Sequence, residues 1–396
     1  MAGGRWRTAA RIAAAATGIG WVASAGCVGL AAYVLRRLTS PEERADDVLV
    51  HEVRGPDAHG APAVVLTATE ETIAPGRYGL WLLGGSGHAR LGDVLAVDEA
   101  AGRVTRELLG VDAGRLDVGP ARWNIYHHGA PPDVSLGLSY ESVSFPGELG
   151  DYPGWWVPGD PDGPLAELDR CAILVHGRGA QLHECLRGVI VTARLGLSTL
   201  VCGYRNDAGA PASPDGRYGL GLSEWKDVDA AMDYALRRGC TDFDLIGWSM
   251  GGATVLQATT RSRHAHRVRH VVLDAPVIDW ADVLAHHVTL GRIPVAIARL
   301  APHVLRSRAA GRLVGVEGPV DLARADWVAR SDELRHPILL IHSLDDEFVP
   351  VGPSLDLAAE RPDLVTMERW TQARHTQEWN VDPRRWEDLV AEYLLG

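Results

Sequence analysis

The sequence predicts an α/β protein: a mostly parallel sheet with helices on both faces, preceded by a small β-rich module and an apolar amino-terminal helix. Three observations carry that expectation. From Cys171 onward, apolar runs of strand character alternate with segments of helical pattern, and such alternation builds a parallel sheet buried on both sides. From Val48 to about Val134 the pattern changes to short β-prone runs broken by Gly and Pro. Third, Gly247-Trp248-Ser249-Met250-Gly251 lies between a strand-like run and a helix-forming one.

At the amino end, Ile12 to Leu35 contains no charged residue and is mostly Ala, Gly, Val, Ile and Leu. Its length of about 24 residues fits a hydrocarbon core of ~30 Å. Arg5, Arg7 and Arg11 precede it, and Arg36 and Arg37 follow. Ala23-Ser24-Ala25 offers a cleavage site, yet the apolar run continues past it. The expectation is an uncleaved single-pass anchor within residues 1–40 that places the protein in the cell membrane. The excess of positive charge on the amino side puts the remainder outside the cytoplasm.

Ser40 and Pro41 have the look of a helix start. Residues 41–134 then read as the β-rich module, with strand candidates at Ala63–Thr67, Tyr78–Leu83, Asp93–Val97 and Arg122–Tyr126. This module carries no catalytic constellation. Residues 135–396 form the α/β domain. Glu141–Phe145 and Pro153–Pro158 read as an opening hairpin. Cys171–Val175, Ser198–Gly203, Asp242–Ile246, Val271–Ala275, Pro337–Ile341 and Val365–Trp370 are the following strands, and Glu224–Arg238 is an amphipathic helix. About sixty residues separate Ala275 from Ile338, more than one crossover helix needs. The excess, 277–335, is helical and apolar, and is expected either to cover the site as a lid or to extend the core.

The chemistry is concentrated at strand ends, where open α/β sheets place their sites. In a strand–turn–helix setting, G-x-S-x-G lifts a serine above the sheet edge, with glycines relieving the crowding of the turn. A serine needs a base, and the base needs a carboxylate to orient it. Downstream, in that order of function, come the carboxylates Asp345, Asp346 and Glu347 after one strand and His375 after the next. A second loop, His176-Gly177-Arg178-Gly179, follows Cys171–Val175.

With these residues the chain resembles the α/β-hydrolase superfamily, closest to its prolyl oligopeptidase-like branch, over roughly residues 135–396. The D-x-x-V-P context of that branch is matched by Asp346-Glu347-Phe348-Val349-Pro350, which favours Asp346 over Asp345 as the acid. The resemblance implies a catalytic triad of Ser249, Asp346 and His375, and an oxyanion hole formed by the backbone amides of Arg178 and Met250. Gly177, Trp248, Arg205 and Asp207 are candidate substrate contacts, Arg205 and Asp207 because they lie on a long polar loop after a strand. His176 is expected to be a structural member of its loop, and His342 a satisfied buried histidine. The implied activity is hydrolysis of an ester or amide through an acyl-enzyme, on an ester, lipid or peptide substrate and with no cofactor. An acyltransferase on the same scaffold and a non-catalytic envelope binding protein are the alternatives.

Composition narrows the rest. The chain has 396 residues, 46% of them hydrophobic, enough for one large domain and a smaller one. A net charge of −12 argues against a nucleic-acid partner. The five cysteines form no C-x-x-C pair and imply no disulfide framework. The doublets His127/His128 and His286/His287 and the pair His264/His266 have no matching ligands at metal spacing, so no metal is expected.

Overall fold

The computed structural model describes residues 33, 35–36, 39–40, 45–56, 61–291, 303–307, 311–312, 314–315 and 319–396. The first of its two structural units is a closed antiparallel barrel. Its strands are β1 (Val48–Arg54), β2 (Ala63–Thr67), β3 (Tyr78–Leu82), β4 (Gly87–Asp98), β5 (Arg103–Ala113) and β6 (Gly119–Asn124), in the order β1-β2-β5-β4-β3-β6. Closure removes the unpaired edges that a small sheet would otherwise present. Alternate residues of the strands, among them Val50, Val64, Leu66, Leu80, Leu91, Val104 and Trp123, turn inward as an apolar core.

One interior position breaks that pattern. Arg106 is fully buried. Its guanidinium donates to the carbonyls of Thr72 at 2.9 Å, Ala74 at 2.8 Å, Gly76 at 2.6 Å and Gly92 at 2.6 Å. The rings of Tyr78 and Trp123 lie beside it, with their centroids 5.2 and 5.3 Å from Cζ. Burial lowers its pKa to about 10, which still leaves it charged at neutral pH. Backbone carbonyls and ring faces thus replace the water that a buried cation loses.

The second unit is built on eight strands: β7 (Glu141–Pro146), β8 (Asp151–Val157), β9 (Arg170–Val175), β10 (Ser198–Cys202), β11 (Asp242–Trp248), β12 (Val268–Asp274), β13 (Ile338–Ser343) and β14 (Val365–Trp370). Their order is β14-β13-β12-β11-β9-β10-β8-β7. The strands β9 to β14 are parallel to their partners among themselves, and β8 runs antiparallel to β7 and β10. The central strands are buried on both faces, as their continuous apolar runs require. Helices Trp225–Arg237 and Met250–Arg261 cover one face with the larger core. Helices Leu186–Arg194 and Pro383–Leu395 cover the other. The chain goes from β9 outward to β10 and then returns to place β11 on the other side of β9. That reversal opens a crevice at the carboxyl ends of β9 and β11.

The expected membrane span, Ile12 to Leu35, falls almost wholly outside the described residues. Among those described, no helix is long and apolar enough to cross a membrane. The downstream end of the expected span needs correction. Leu35 is buried in the core of the second unit, and Thr39 accepts a backbone hydrogen bond from Tyr218 at 2.9 Å. The expected lid is described in part: the helix Trp280–Leu290 and short turns at Leu322–Ala325 and Ser331–Glu333. The rest of 277–335 includes segments outside the described residues.

Candidate active site

Ser249 occupies the turn between β11 and the helix Met250–Arg261, with φ 51° and ψ −117°. This left-handed conformation is costly for a residue with a side chain, of order 1–3 kcal/mol, and persists only where its surroundings enforce it. The enforcement is visible on both sides. A Cβ at Gly247 would stand 2.6 Å from the Gly251 carbonyl oxygen, and one at Gly251 would stand 2.1 Å from that of Val175. Only glycine permits so close an approach. The Ser249 N–H donates to the Asp274 carbonyl at 3.0 Å, and its own carbonyl accepts from Ala253 and Val277. The hydroxyl is thereby held at the helix amino end, where the first N–H groups have no partner within the helix.

Three side chains from three loops meet there. His375, after β14, lies with Nε2 2.8 Å from Ser249 Oγ. Its Nδ1 lies 2.7 Å from Asp346 Oδ2. These partners require the tautomer in which Nδ1–H donates to the carboxylate and Nε2 accepts from the hydroxyl. Asp346 is held in turn. Oδ1 accepts from the amides of Phe348 and Val349, both at 2.8 Å, and Oδ2 also lies 3.2 Å from His342 Nε2. Burial alone would raise the Asp346 pKa, but the imidazoles of His375 and His342 outweigh it and hold the carboxyl well below its ordinary range. Asp345 points elsewhere: it is exposed and accepts from the Gln372 amide at 2.7 Å.

His342 is fully buried and satisfied, with Nδ1 2.8 Å from Ser354 Oγ. It also steadies the Asp346 carboxylate, a contact its sequence position did not reveal. His176 is likewise internal. It is stacked on Tyr204, with ring centroids 4.4 Å apart, and bonded to Asp207 at 2.9 Å. Burial opposes its protonation, but the Asp207 carboxylate prevails and raises its pKa.

The expected substrate contacts fare differently. Arg178 and Ser249 line a cleft of about 1480 Å³. Met250 follows Ser249 directly as the first helical residue. Gly177 lies against Ser249, but its N–H is already donated to Glu184 Oε2 at 2.6 Å. Trp248 is not a substrate contact. Its indole is fully buried, stacked on Trp386 and bonded to Asp274 Oδ2 at 3.1 Å, because successive strand residues point to opposite faces. Arg205 is removed from the cleft by a bidentate pair with Asp227, at 2.8 Å to each carboxylate oxygen, and by Glu148 at 3.0 Å. Asp207 is committed to His176 and to the Tyr204 amide.

The cleft has a wall that the sequence did not announce. Asp46, Glu71, Trp81, Arg122 and Tyr126 of the barrel unit line it together with His286, Phe348 and Arg374 of the second unit. The barrel also grips the segment that follows His375. The Tyr78 hydroxyl lies 3.1 Å from Gln377 Oε1. Asn380 accepts from the Arg77 amide at 2.8 Å and donates through Nδ2 to the carbonyls of Arg77 and Ile125. Among the described residues no group of three or more His, Cys, Asp or Glu side chains is arranged to hold a metal ion.

The comparisons with known proteins divide at the boundary between the units. Residues 50–124, the barrel, match the model of a domain of unknown function, DUF8805. A search of curated proteins gives no match. Among solved structures, the Pyrococcus furiosus esterase Pf2001 is similar in two crystal forms. In both the TM-score is 0.50 and the identity 19%, over 67% of this chain; 92% of the esterase chain is covered in one and 95% in the other. At that identity the likeness speaks for the backbone alone, and with the strand order and the turn at Ser249 it identifies the second unit as an α/β-hydrolase fold.

Proposed function

We propose that this protein is a serine hydrolase that cleaves an ester bond through an acyl-enzyme intermediate. The observation that carries this reading is the single imidazole of His375 bridging Ser249 Oγ and the buried Asp346 carboxylate. In this mechanism His375 Nε2 takes the Ser249 proton as Oγ attacks the substrate carbonyl carbon. Asp346 stabilises the imidazolium, being held as the anion by its amides and by His342. The backbone amides of Arg178 and Met250 stabilise the oxyanion, a contribution of about 3–4 kcal/mol per donor in comparable sites. His375 then returns the proton to the leaving alcohol, and the resulting acyl-enzyme is opened by a water that His375 deprotonates.

The esterase activity named for the structural neighbour supports an ester over an amide. The test is labelling with a fluorophosphonate probe followed by peptide mass mapping. Modification confined to Ser249, and abolished in Ser249→Ala, is the expected result. A folded protein that takes up no label would overturn the reading. Turnover of an ester panel by Ser249→Ala should fall by about 10⁶-fold.

A further inference from the structure

Behind the triad lies a second pair of carboxyl groups that the mechanism above does not use. Asp274 ends β12, and Glu378 begins the helix Glu378–Val381, three residues after His375. Both are fully buried. Asp274 Oδ2 accepts from two indoles, Trp386 Nε1 at 2.8 Å and Trp248 Nε1 at 3.1 Å. Glu378 Oε1 accepts from the Ser343 amide at 2.9 Å. The remaining oxygens, Asp274 Oδ1 and Glu378 Oε2, are buried with no donor from elsewhere in the described residues. The two carboxyl groups are within hydrogen-bonding reach of each other. Two carboxylates cannot donate to one another, whereas one proton held between them satisfies both orphaned oxygens at once.

We propose that Asp274 and Glu378 share one proton and act as a positioning pair that keeps the serine turn and the acid loop in register. The connections are direct. The Asp274 carbonyl holds the Ser249 N–H at 3.0 Å. Glu378 holds the N–H of Ser343, the last residue of β13, from which the chain runs to Asp346. The proton resides on Glu378, since Asp274 already receives two indole N–H groups that stabilise its charge. Burial first, then the Asp274 and Asp346 charges, raise the Glu378 pKa well above the ordinary value. The other charged groups in this part of the core have partners of their own. His342 and His375 face Asp346. Arg187 donates to the Thr376 carbonyl at 2.6 Å and pairs with Glu184 at 3.4 Å. Glu387 accepts from Trp379 Nε1 at 3.0 Å.

The positioning half of this proposal rests on the serine hydrolase reading; the shared proton does not. Glu378→Gln separates them, because a glutamine amide can reproduce the protonated acid, donating to Asp274 and accepting from Ser343. A carboxyl whose folded pKa is raised costs stability progressively as pH climbs above its unfolded value. Thermal midpoints of wild type and Glu378→Gln, measured from about pH 5 to about pH 9, should therefore diverge in favour of the variant as pH rises. Parallel curves would overturn the shared proton. Fluorophosphonate labelling of Ser249 should stay within about threefold of wild type in Glu378→Gln and fall about a hundredfold in Glu378→Leu, which removes the tie to Ser343. Equal labelling of the two variants would overturn the positioning role. If Glu378→Leu does not fold, the melting curves still decide the proton, and a labelling rate that is kept at alkaline pH in Glu378→Gln beside an alkaline loss in wild type decides the positioning. A wild-type protein that does not label at all removes the hydrolase reading and the positioning role with it, while the melting comparison stands.

Discussion

The barrel and the α/β sheet meet at one cleft but contribute to it in different ways. The sheet brings Ser249, Asp346 and His375 together through local geometry. Its strands end in loops whose backbone is forced into place by close approaches, as at Gly247 and Gly251 around Ser249. The barrel supplies none of the side chains Ser249, Asp346 and His375. It walls the cleft with Trp81, Arg122 and Tyr126 and clamps the stretch after His375 through Tyr78 and Asn380. Ser249 is therefore held from within its own unit, while the segment that follows His375 is held partly from the other. A serine turn of this kind needs only neighbours in the sheet, whereas an imidazole on a loop needs a buttress, and here a second unit provides part of it.

The contrast can be tested by removing its parts in turn. After Ser249→Ala itself, the largest effect should come from Asp346. Asp346→Asn keeps the shape but removes the charge that sets the His375 tautomer, and should reduce kcat by about 10⁴-fold with little change in KM. If the loss is less than about tenfold, Asp346 is not the orienting group, and Asp345→Asn becomes the variant to measure. The same substitution has a pH signature in stability. The folded-state pKa of Asp346 is depressed, so its contribution is fully present above the unfolded value and is lost as pH falls from there toward the depressed folded value. The difference in thermal midpoint between wild type and Asp346→Asn should accordingly hold steady above about pH 5 and shrink progressively as pH is lowered from there toward about pH 2.

Next in size is the barrel's own core. Arg106→Met leaves four buried carbonyls without their donor and should cost about 3–5 kcal/mol, read as a lower denaturation midpoint. The comparison gains if labelling of Ser249 in the surviving folded fraction slows less than stability falls, because the serine turn does not lean on the barrel. The smallest effect should follow Asn380→Ala, which leaves the Arg77 and Ile125 carbonyls unpaired between the units. A loss of about 1–3 kcal/mol is expected, with a slower labelling rate caused by looser placement of His375. If stability changes and labelling does not, the barrel is a wall and not a buttress.

Much of the site could be read in advance because its signals are local. Ser249 stands in a glycine-flanked turn between a strand and a helix, and Asp346 and His375 each follow an apolar strand. Each therefore lands at the same edge of a parallel sheet. The misreadings have one cause. Arg205 and Asp207 sit on a polar loop near that edge, but their partners, Asp227, Glu148 and His176, come from other parts of the chain. Trp248 adjoins Ser249 in sequence, yet strand alternation sends its indole into the core behind it. The barrel was legible as β-rich and no further. Strands β1 and β5 carry many charged or exposed residues and gave no clean alternation, and closure depends on pairings such as β1 with β6 that span some seventy residues.

By itself, then, the sequence determined the architecture of residues 135–396 and the identity of three side chains at its strand ends, because strand periodicity and turn chemistry act over a few residues. Only the tertiary structure decided that His342 steadies Asp346, that Glu184 occupies the Gly177 amide, that Asp274 and Glu378 face one another in the core, and that the barrel forms a wall of the cleft. Each of those depends on which buried polar group finds which partner. A buried donor or acceptor must be satisfied by whatever the fold brings near it, and that neighbour is seldom nearby in the chain.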